Sequence, residues 1–254
     1  MFRKILKERM KILVCISHVP DTISKISFVE NNTKYDSTNI QYIIGPYDDY
    51  AISKAVDMKG TDNAHVTVLN VGLVETEPTL RRALAIGADE AVRINVEPID
   101  SFLVASQIAQ HIKEEEYDLI LMGRESIDFN GGIVHAMTGE IVGIPAFSPV
   151  MQLEITDGKA KIAREIEGGK EYIEAKLPLI AGCQEPIAEW KIPNMRGIMT
   201  ARTKPFKVLD PIETETRSNN KNFELPSEKG DIKLIEPDEV EKLYELLKNE
   251  AKVI

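Results

Sequence analysis

The 254 residues leave room for one large α/β domain, or a medium one with an extension, and 43% hydrophobic residues suffice to bury a core. A net charge of −10 argues against general nucleic-acid binding, and no stretch approaches the roughly 18 apolar residues of a membrane span. Cys15 and Cys183 lie in apolar runs and read as buried thiols of a reduced, cytoplasmic protein, while His18, His65, His111 and His135 lack metal-ligand spacing.

Residues 1–9 are basic and too poor in apolar residues for a secretion signal. Met10 directly precedes the first strand, so translation starting there would leave 1–9 as a frayed extension; a targeting presequence would be longer and richer in serine. Ile12 to Ile16 predicts a buried strand, ended by Ser17-His18-Val19-Pro20-Asp21. Ile26 to Tyr42, polar with two Asn-rich breaks, predicts a hairpin or long excursion. Gly45-Pro46 then breaks the chain, and Asp48-Asp49 open a helix carrying Ala51, Ile52, Ala55 and Val56. His65 to Val71 predicts a strand, Thr76-Glu77-Pro78 a helix start, and Gly87 its cap. Ala91 to Val96 follows as a strand and Asp100 to Glu114 as an amphipathic helix.

The stretch Tyr117 to Val134, YDLILMGRESIDFNGGIV, holds the most chemistry. A short apolar strand, Leu119 to Met122, runs through Gly123 into a polar segment. It turns at Asn130-Gly131-Gly132 into a helical pattern (Ile133, Val134, Met137, Ile141) closed by Gly143 and Pro145. A strand feeding a helix through a glycine loop suits anion binding, because bare N–H groups and the positive helix end face the ligand. An ordinary βα loop with a flexible tip would carry the same pattern.

Strand–helix alternation up to Pro145 predicts a parallel sheet covered on both faces, with the tips after Ile16, Val71 and Met122 converging on one site. Then Val150 to Ile155, Lys159 to Ile166 and Lys170 to Leu177 predict antiparallel strands, with hairpin signals at Asp157-Gly158 and Gly168-Gly169. Leu179 to Gly182 adds another strand. From Pro186 regular pattern is lost, 210–229 reads as a linker or arm, and Pro237 to Glu250 as a helix with a Val240, Leu243, Leu246 and Leu247 stripe. No nucleophile–base pair stands out; His135 could approach His18, but no carboxylate is placed to orient either ring.

Taken together, MKILVCISHVPDT, IIGPYDDYAISKAVDMK, VTVLNVG, LRRALAIGADEAV, DLILMGRESID, AREIEGGKEYIEAKLPLI and IPNMRGIMTARTKPF resemble, in order and spacing, the electron transfer flavoprotein beta subunit. The resemblance covers Met10 to about Pro211. It implies a doubly wound, mostly parallel α/β sheet of the adenine-nucleotide alpha-hydrolase type, with antiparallel hairpin additions. Three parts follow: the 1–9 extension, a nucleotide-binding domain over 10–209, and a 210–254 arm packing on a partner. The implied protein is a cytoplasmic heterodimer with an alpha subunit that holds most of an FAD. It would take electrons from flavin dehydrogenases, such as acyl-CoA dehydrogenases of fatty acid beta-oxidation, and pass them toward a membrane quinone reductase, the electron transfer flavoprotein–quinone oxidoreductase. The chain itself would neither catalyse nor insert in a membrane. It would bury an AMP, or a second FAD in an electron-bifurcating member.

Carried over by position, the nucleotide contacts are Cys15, Gly45, Pro46, Tyr47, Asp48, Val71, Gly123, Arg124, Ser126, Asp128, Asn130, Gly131, Gly132, Ile133 and Val134. Arg164 and Glu165 match the alpha-subunit boundary, and Ile192, Met195, Ile198 and Met199 a loop that docks dehydrogenases. Pro193 and Gly197 argue against a helix through that loop, and its apolar content predicts that some of it is buried. The resemblance is imperfect where it matters. Gly45-Pro46-Tyr47 stands for the family's Asn-Pro-Phe, and IDFNGGIVH replaces a loop whose Asp, Thr, Gln and Gly become Asn130, Gly131, Ile133 and His135. Phosphate binding would then fall to backbone N–H groups. Two other classes remain open. A stand-alone universal-stress-type nucleotide-binding regulator leaves the arm and AREIEGG hairpin unexplained, and an ATP-dependent carboxylate-activating enzyme needs a loop that VPDT does not supply.

Overall fold

The computed structural model describes residues 9–227, 230 and 232–254, so most of the expected N-terminal extension lies outside the described residues. The chain divides into two compact units, one of residues 1–27 and 36–221, the other of 28–35 and 222–254.

The first unit is built on a nine-stranded sheet. In chain order its elements are β1 (Lys11–Cys15), β2 (His18–Pro20), β5 (Tyr42–Ile44), α1 (Pro46–Thr61), β6 (His65–Val71), α2 (Glu77–Ile86), β7 (Glu90–Ile94), α3 (Ser101–Glu114), β8 (Leu119–Gly123) and α4 (Val134–Val142). They continue as β9 (Ala146–Thr156), β10 (Lys159–Ile166), β11 (Gly169–Lys176), β12 (Leu179–Cys183), α5 (Met195–Ala201) and β13 (Phe206–Leu209). The other two strands, β3 (Phe28–Val29) and β4 (Lys34–Tyr35), belong to the second unit.

The sheet order is β11-β10-β9-β12-β8-β1-β6-β7-β13, parallel from β9 to β13 and antiparallel across β9-β10-β11. Alternation along the central strands divides the core. Ile12, Val14, Val66, Val68, Leu119 and Leu121 face α1 and α2, where Ala51, Ala55 and Ala83 let the helices pack close. Leu13, Cys15, Leu69, Val71, Ile120 and Met122 face α3, packing with Leu103, Ile108 and Ile112. These strands are apolar on both faces because both faces are covered. The hairpin signal at Asp157-Gly158 becomes a turn with φ of 50° and 74°.

Several expectations need correction. The chain after Pro186 is not patternless: β13 extends the parallel sheet beside β7. Strand β9 starts four residues before Val150, because Ala146 already pairs with Ile180 of β12. Most of all, IPNMRGIMT is helical through its centre. Asn194 caps α5 by accepting from Gly197 N–H (2.8 Å), and Gly197 fits mid-helix because a Cβ there would strike the Ala85 carbonyl of α2. Nor is any of Ile192, Met195, Ile198 and Met199 buried; only Ala201 of α5 is.

The start of the expected arm is held within the first unit. Gln107 of α3 clasps Ile212, donating to its carbonyl (2.8 Å) and accepting from its N–H (2.9 Å). Asp100 caps α3 through Leu103 N–H (2.8 Å) and also accepts from Arg217 and Ser218 N–H (2.5 and 2.8 Å). Those backbone donors outweigh burial and hold its carboxyl below the usual range.

In the second unit, β3 and β4 pair, Phe28 stacks on Phe223, and Phe223 N–H donates to Asn32 carbonyl (2.8 Å). The C-terminal helix is α6 (Val240–Glu245) followed by a π-helical turn, Leu246–Ala251, rather than one continuous α-helix from Pro237. Val240 and Leu243 are exposed, while Leu246 and Leu247 are half-buried.

Candidate functional site

The tips of β1, β6 and β8 converge, as the alternation requires, on a cavity of about 810 Å³ in the first unit. That size suits a nucleotide-class ligand. Its base is pinned by Asp48, in the first turn of α1. One carboxylate oxygen accepts from Ser17 N–H (2.8 Å) and Ser17 Oγ (2.5 Å), beyond the end of β1, and the other from Gly123 N–H (2.8 Å), at the end of β8. Asp48 is 5% exposed, and burial pushes its carboxyl up to about 6 against the pull of these donors. Gly45 and Gly123 press against this carboxylate: a Cβ on Gly123 would lie 2.5 Å from Oδ1, and one on Gly45 would collide with Ser17 Oγ. The glycine in place of the family's asparagine thus goes with a Ser17–Asp48 pair that occupies its side-chain space.

One wall is the Gly131-Gly132 turn and the start of α4. Asn130 and Gly132 adopt φ of 47° and 54°, and no side chain caps α4. The N–H groups of Gly131, Gly132 and Ile133 have no acceptor among the described residues. Here the bare donors expected of an anion cradle are present. Arg124 adds little free charge, since it donates to Gln184 (2.9 Å), pairs with Glu125 (3.2 Å) and lies over the Tyr47 ring (4.8 Å). Arg124 is thus engaged within the chain, and Arg82 is the other guanidinium in the cavity lining.

Of the residues carried over from the family, Cys15, Asp48, Val71, Gly123, Arg124, Ser126, Asp128, Gly131, Gly132, Ile133 and Val134 line the cavity. Gly45, Pro46, Tyr47 and Asn130 do not; Gly45 and Tyr47 act behind the wall, on Asp48 and Arg124. Burial pushes the Cys15 thiol up, so it is a packing residue rather than a nucleophile.

His18 and His135 both line the cavity, without a hydrogen bond or ring contact between them. His18 stacks on Tyr42 with ring centroids 4.3 Å apart and meets Thr79 Oγ1 at 2.7 Å. His135 Nδ1 accepts from Ala136 N–H (2.9 Å), and Nε2 is buried without a partner among the described residues. Burial pulls both imidazoles below their ordinary range.

Ser17, Asn70, Arg82 and Ser101 also line the cavity and escaped sequence reading. Asn70 left a trace there, a polar residue one step from the tip of a mostly apolar strand. Its Nδ2 donates to the Ile16 carbonyl (2.8 Å), and Oδ1 is buried without a donor among the described residues. The two family-derived boundary residues are engaged inside the chain: Arg164 pairs with Glu171 (2.5 Å), and Glu165 accepts from Gln184 (2.6 Å).

The sequence model of the electron transfer flavoprotein domain matches residues 33–214. The chain is 35% identical to electron transfer flavoprotein subunit beta of Bacillus subtilis, over 96% of this chain and all of that protein. It is 33% identical to the same subunit of Syntrophomonas wolfei over 96% and 98% of the two chains. The chain belongs to the electron transfer flavoprotein beta-subunit family. The human subunit, 27% identical, aligns over 80% of this chain and 82% of its own length. Membership agrees with the α/β sheet whose strand tips form the cavity. Among the described residues, no helix is long and apolar enough to cross a membrane.

Proposed function

We propose that this chain is the beta subunit of a heterodimeric electron transfer flavoprotein, with one AMP in its cavity and the redox FAD held mainly by the alpha subunit. The observation that supports the nucleotide is the uncapped α4 with N–H groups at Gly131–Ile133 that have no acceptor among the described residues, in residues lining a cavity of nucleotide size. In this reading Gly131 to Val134 hold the phosphate, and Asn70 Oδ1 accepts a hydroxyl or amino proton of the nucleoside. Asp48 keeps the strand tips together beneath it. The nucleotide is structural, and the flavin supplies the electron-carrying chemistry when bound. The chain passes electrons from flavin dehydrogenases toward a membrane quinone reductase and transforms no substrate itself.

The exposed α5 is the dehydrogenase-docking element, and the α6 region packs on the alpha subunit. Co-expression with the alpha chain, followed by chromatography of nucleotides released on denaturation, tests the reading. One FAD and one AMP per heterodimer are expected. Two FAD would make it an electron-bifurcating member, and no adenine nucleotide would remove the cavity's assigned role.

A further inference from the structure

A groove of about 600 Å³ runs between α2 and α5, and its charge is one-sided. Its apolar surface includes Ala85, Pro193 and Ile198, and three guanidinium groups line it: Arg81, Arg82 and Arg202. Arg81 is committed to the fold. It donates to the Ala201 carbonyl (3.0 Å), pairs with Glu77 (3.2 Å) and lies over the Phe206 ring (4.6 Å). Arg82 and Arg202 make no ion pair among the described residues, although the field of Arg82 reaches Asp49. The groove is preformed, because Gly197 seats α5 directly on the backbone of α2. Lys204, the lysine next after α5, contributes nothing outward: its Nζ donates to the Leu84 and Ala88 carbonyls (2.8 and 2.6 Å), at the end of α2.

We infer that this groove receives an acidic, amphipathic segment of the docking dehydrogenase, an aliphatic side chain entering between α2 and α5 with carboxylates set against Arg82 and Arg202. The inference rests on the assignment of α5 as the docking element and adds the chemistry of what docks. Unpaired cations rimming an apolar slot favour an anionic partner, and guanidinium groups suit carboxylates through paired N–H donors. The exposed Met195 and Met199, one helical turn apart on α5, extend the apolar contact beyond the slot.

The test uses the flavin-loaded heterodimer and a flavin dehydrogenase that reduces it, with initial rates followed across a sodium chloride series. Arg202, which does not border the nucleotide cavity, is the informative position. Arg202→Gln is expected to slow reduction about three- to tenfold at low salt and to flatten the salt dependence, while Arg202→Lys keeps the wild-type slope. Wild-type rate and slope in Arg202→Gln would overturn the inference. If Met195→Ala is slow in the same assay while Arg202→Gln is not, docking at α5 stands and the acidic segment falls. If neither is slow, the docking assignment falls with it.

Discussion

The cavity, on the one hand, and the separate surfaces of α5 and α6, on the other, are unfinished in opposite ways. At the strand tips, polar groups lack partners among the described residues: Asn70 Oδ1 and His135 Nε2 are buried without hydrogen bonds, and the turn before α4 holds unaccepted N–H groups. On α5 and α6, apolar groups lack cover: Met195 is 74% exposed, Met199 70% and Val240 65%. Leaving a buried polar atom unpaired costs about 1–3 kcal/mol, whereas leaving an aliphatic side chain in water forgoes about 1.5–3 kcal/mol of burial. A small polar ligand would answer the first deficit, and another protein surface the second. A beta subunit that holds a nucleotide and works only in contact with other chains would show both.

The largest effect is expected where the cavity is pinned. Asp48→Ala leaves the part-buried Ser17 and Gly123 N–H groups without their acceptor, at a cost of about 3 kcal/mol, read as a fall in Tm of several degrees and loss of bound nucleotide. Asp48→Asn keeps the shape but sets an NH2 against donors, so it should recover only part of the loss. The pH dependence carries a sign. Burial raises the folded-state pKa to about 6, above the ordinary carboxylate value, so the folded protein binds the extra proton between about pH 4 and 6. Stability therefore falls as pH rises through that window and levels off above it, by at most about 3 kcal/mol for this group. Asp49, raised to about 6 mainly by burial, gives a slope of the same sign. Asp48→Asn should flatten the wild-type slope but not abolish it; an unchanged slope would exonerate Asp48.

Second comes the exposed face of α6. Removing 231–254 takes away Val240, Leu243, Leu246 and Leu247, each able to contribute about 1.5–3 kcal/mol if buried on the alpha subunit. A heterodimer weakened at least tenfold is expected by analytical ultracentrifugation. Unchanged affinity would assign the segment to its own unit. Third, Gly132→Val forces a β-branched residue to φ of 54°, and Gly131→Val adds a side chain whose Cβ would lie 3.2 Å from Ser101 Oγ. Both should lower nucleotide occupancy, and full retention in both variants would rule out the phosphate path drawn here.

The two regions also differed in how far the sequence disclosed them. The sheet was legible because its strands are continuous apolar runs punctuated by Gly72, Gly87, Gly123 and Gly143, and convergence of their tips follows from parallel topology alone. The Ser17–Asp48 pin was not, since nothing local says that an acid in the first turn of α1 will bond two strand ends rather than the helix dipole. Strand β13 escaped because four residues with an outward lysine, Lys207, make too short a pattern for an edge strand. Helix α5 was misread through its own punctuation. Gly197 looked like a breaker, but it is a close-approach glycine whose reason, the Ala85 carbonyl, lies on another helix more than 100 residues earlier. Local signals disclosed what local physics determines; the remaining residues are set by neighbours distant in sequence.

The smallest effect expected, and the sharpest test of the comparison, concerns Met195. It lies at the start of α5, capped by Asn194, and 74% of it faces solvent, so it adds little to the folded state of this chain. Truncation to alanine should shift Tm by no more than about 1 °C, as surface changes away from caps and cores usually do. The side chain's role is proposed to begin at docking, where an unbranched thioether can adapt to pockets of more than one shape. Loss of such an anchor is expected to cost about 1–2 kcal/mol of docking energy, a five- to thirtyfold slower reduction by the dehydrogenase at limiting concentration. Flavin and nucleotide content should stay as in the wild type. Reduction that keeps its full rate would break the comparison, because the most exposed apolar side chain of α5 would then be waiting for nothing. Reduction that slows together with a several-degree fall in Tm would instead mean that Met195 supports the α2–α5 packing.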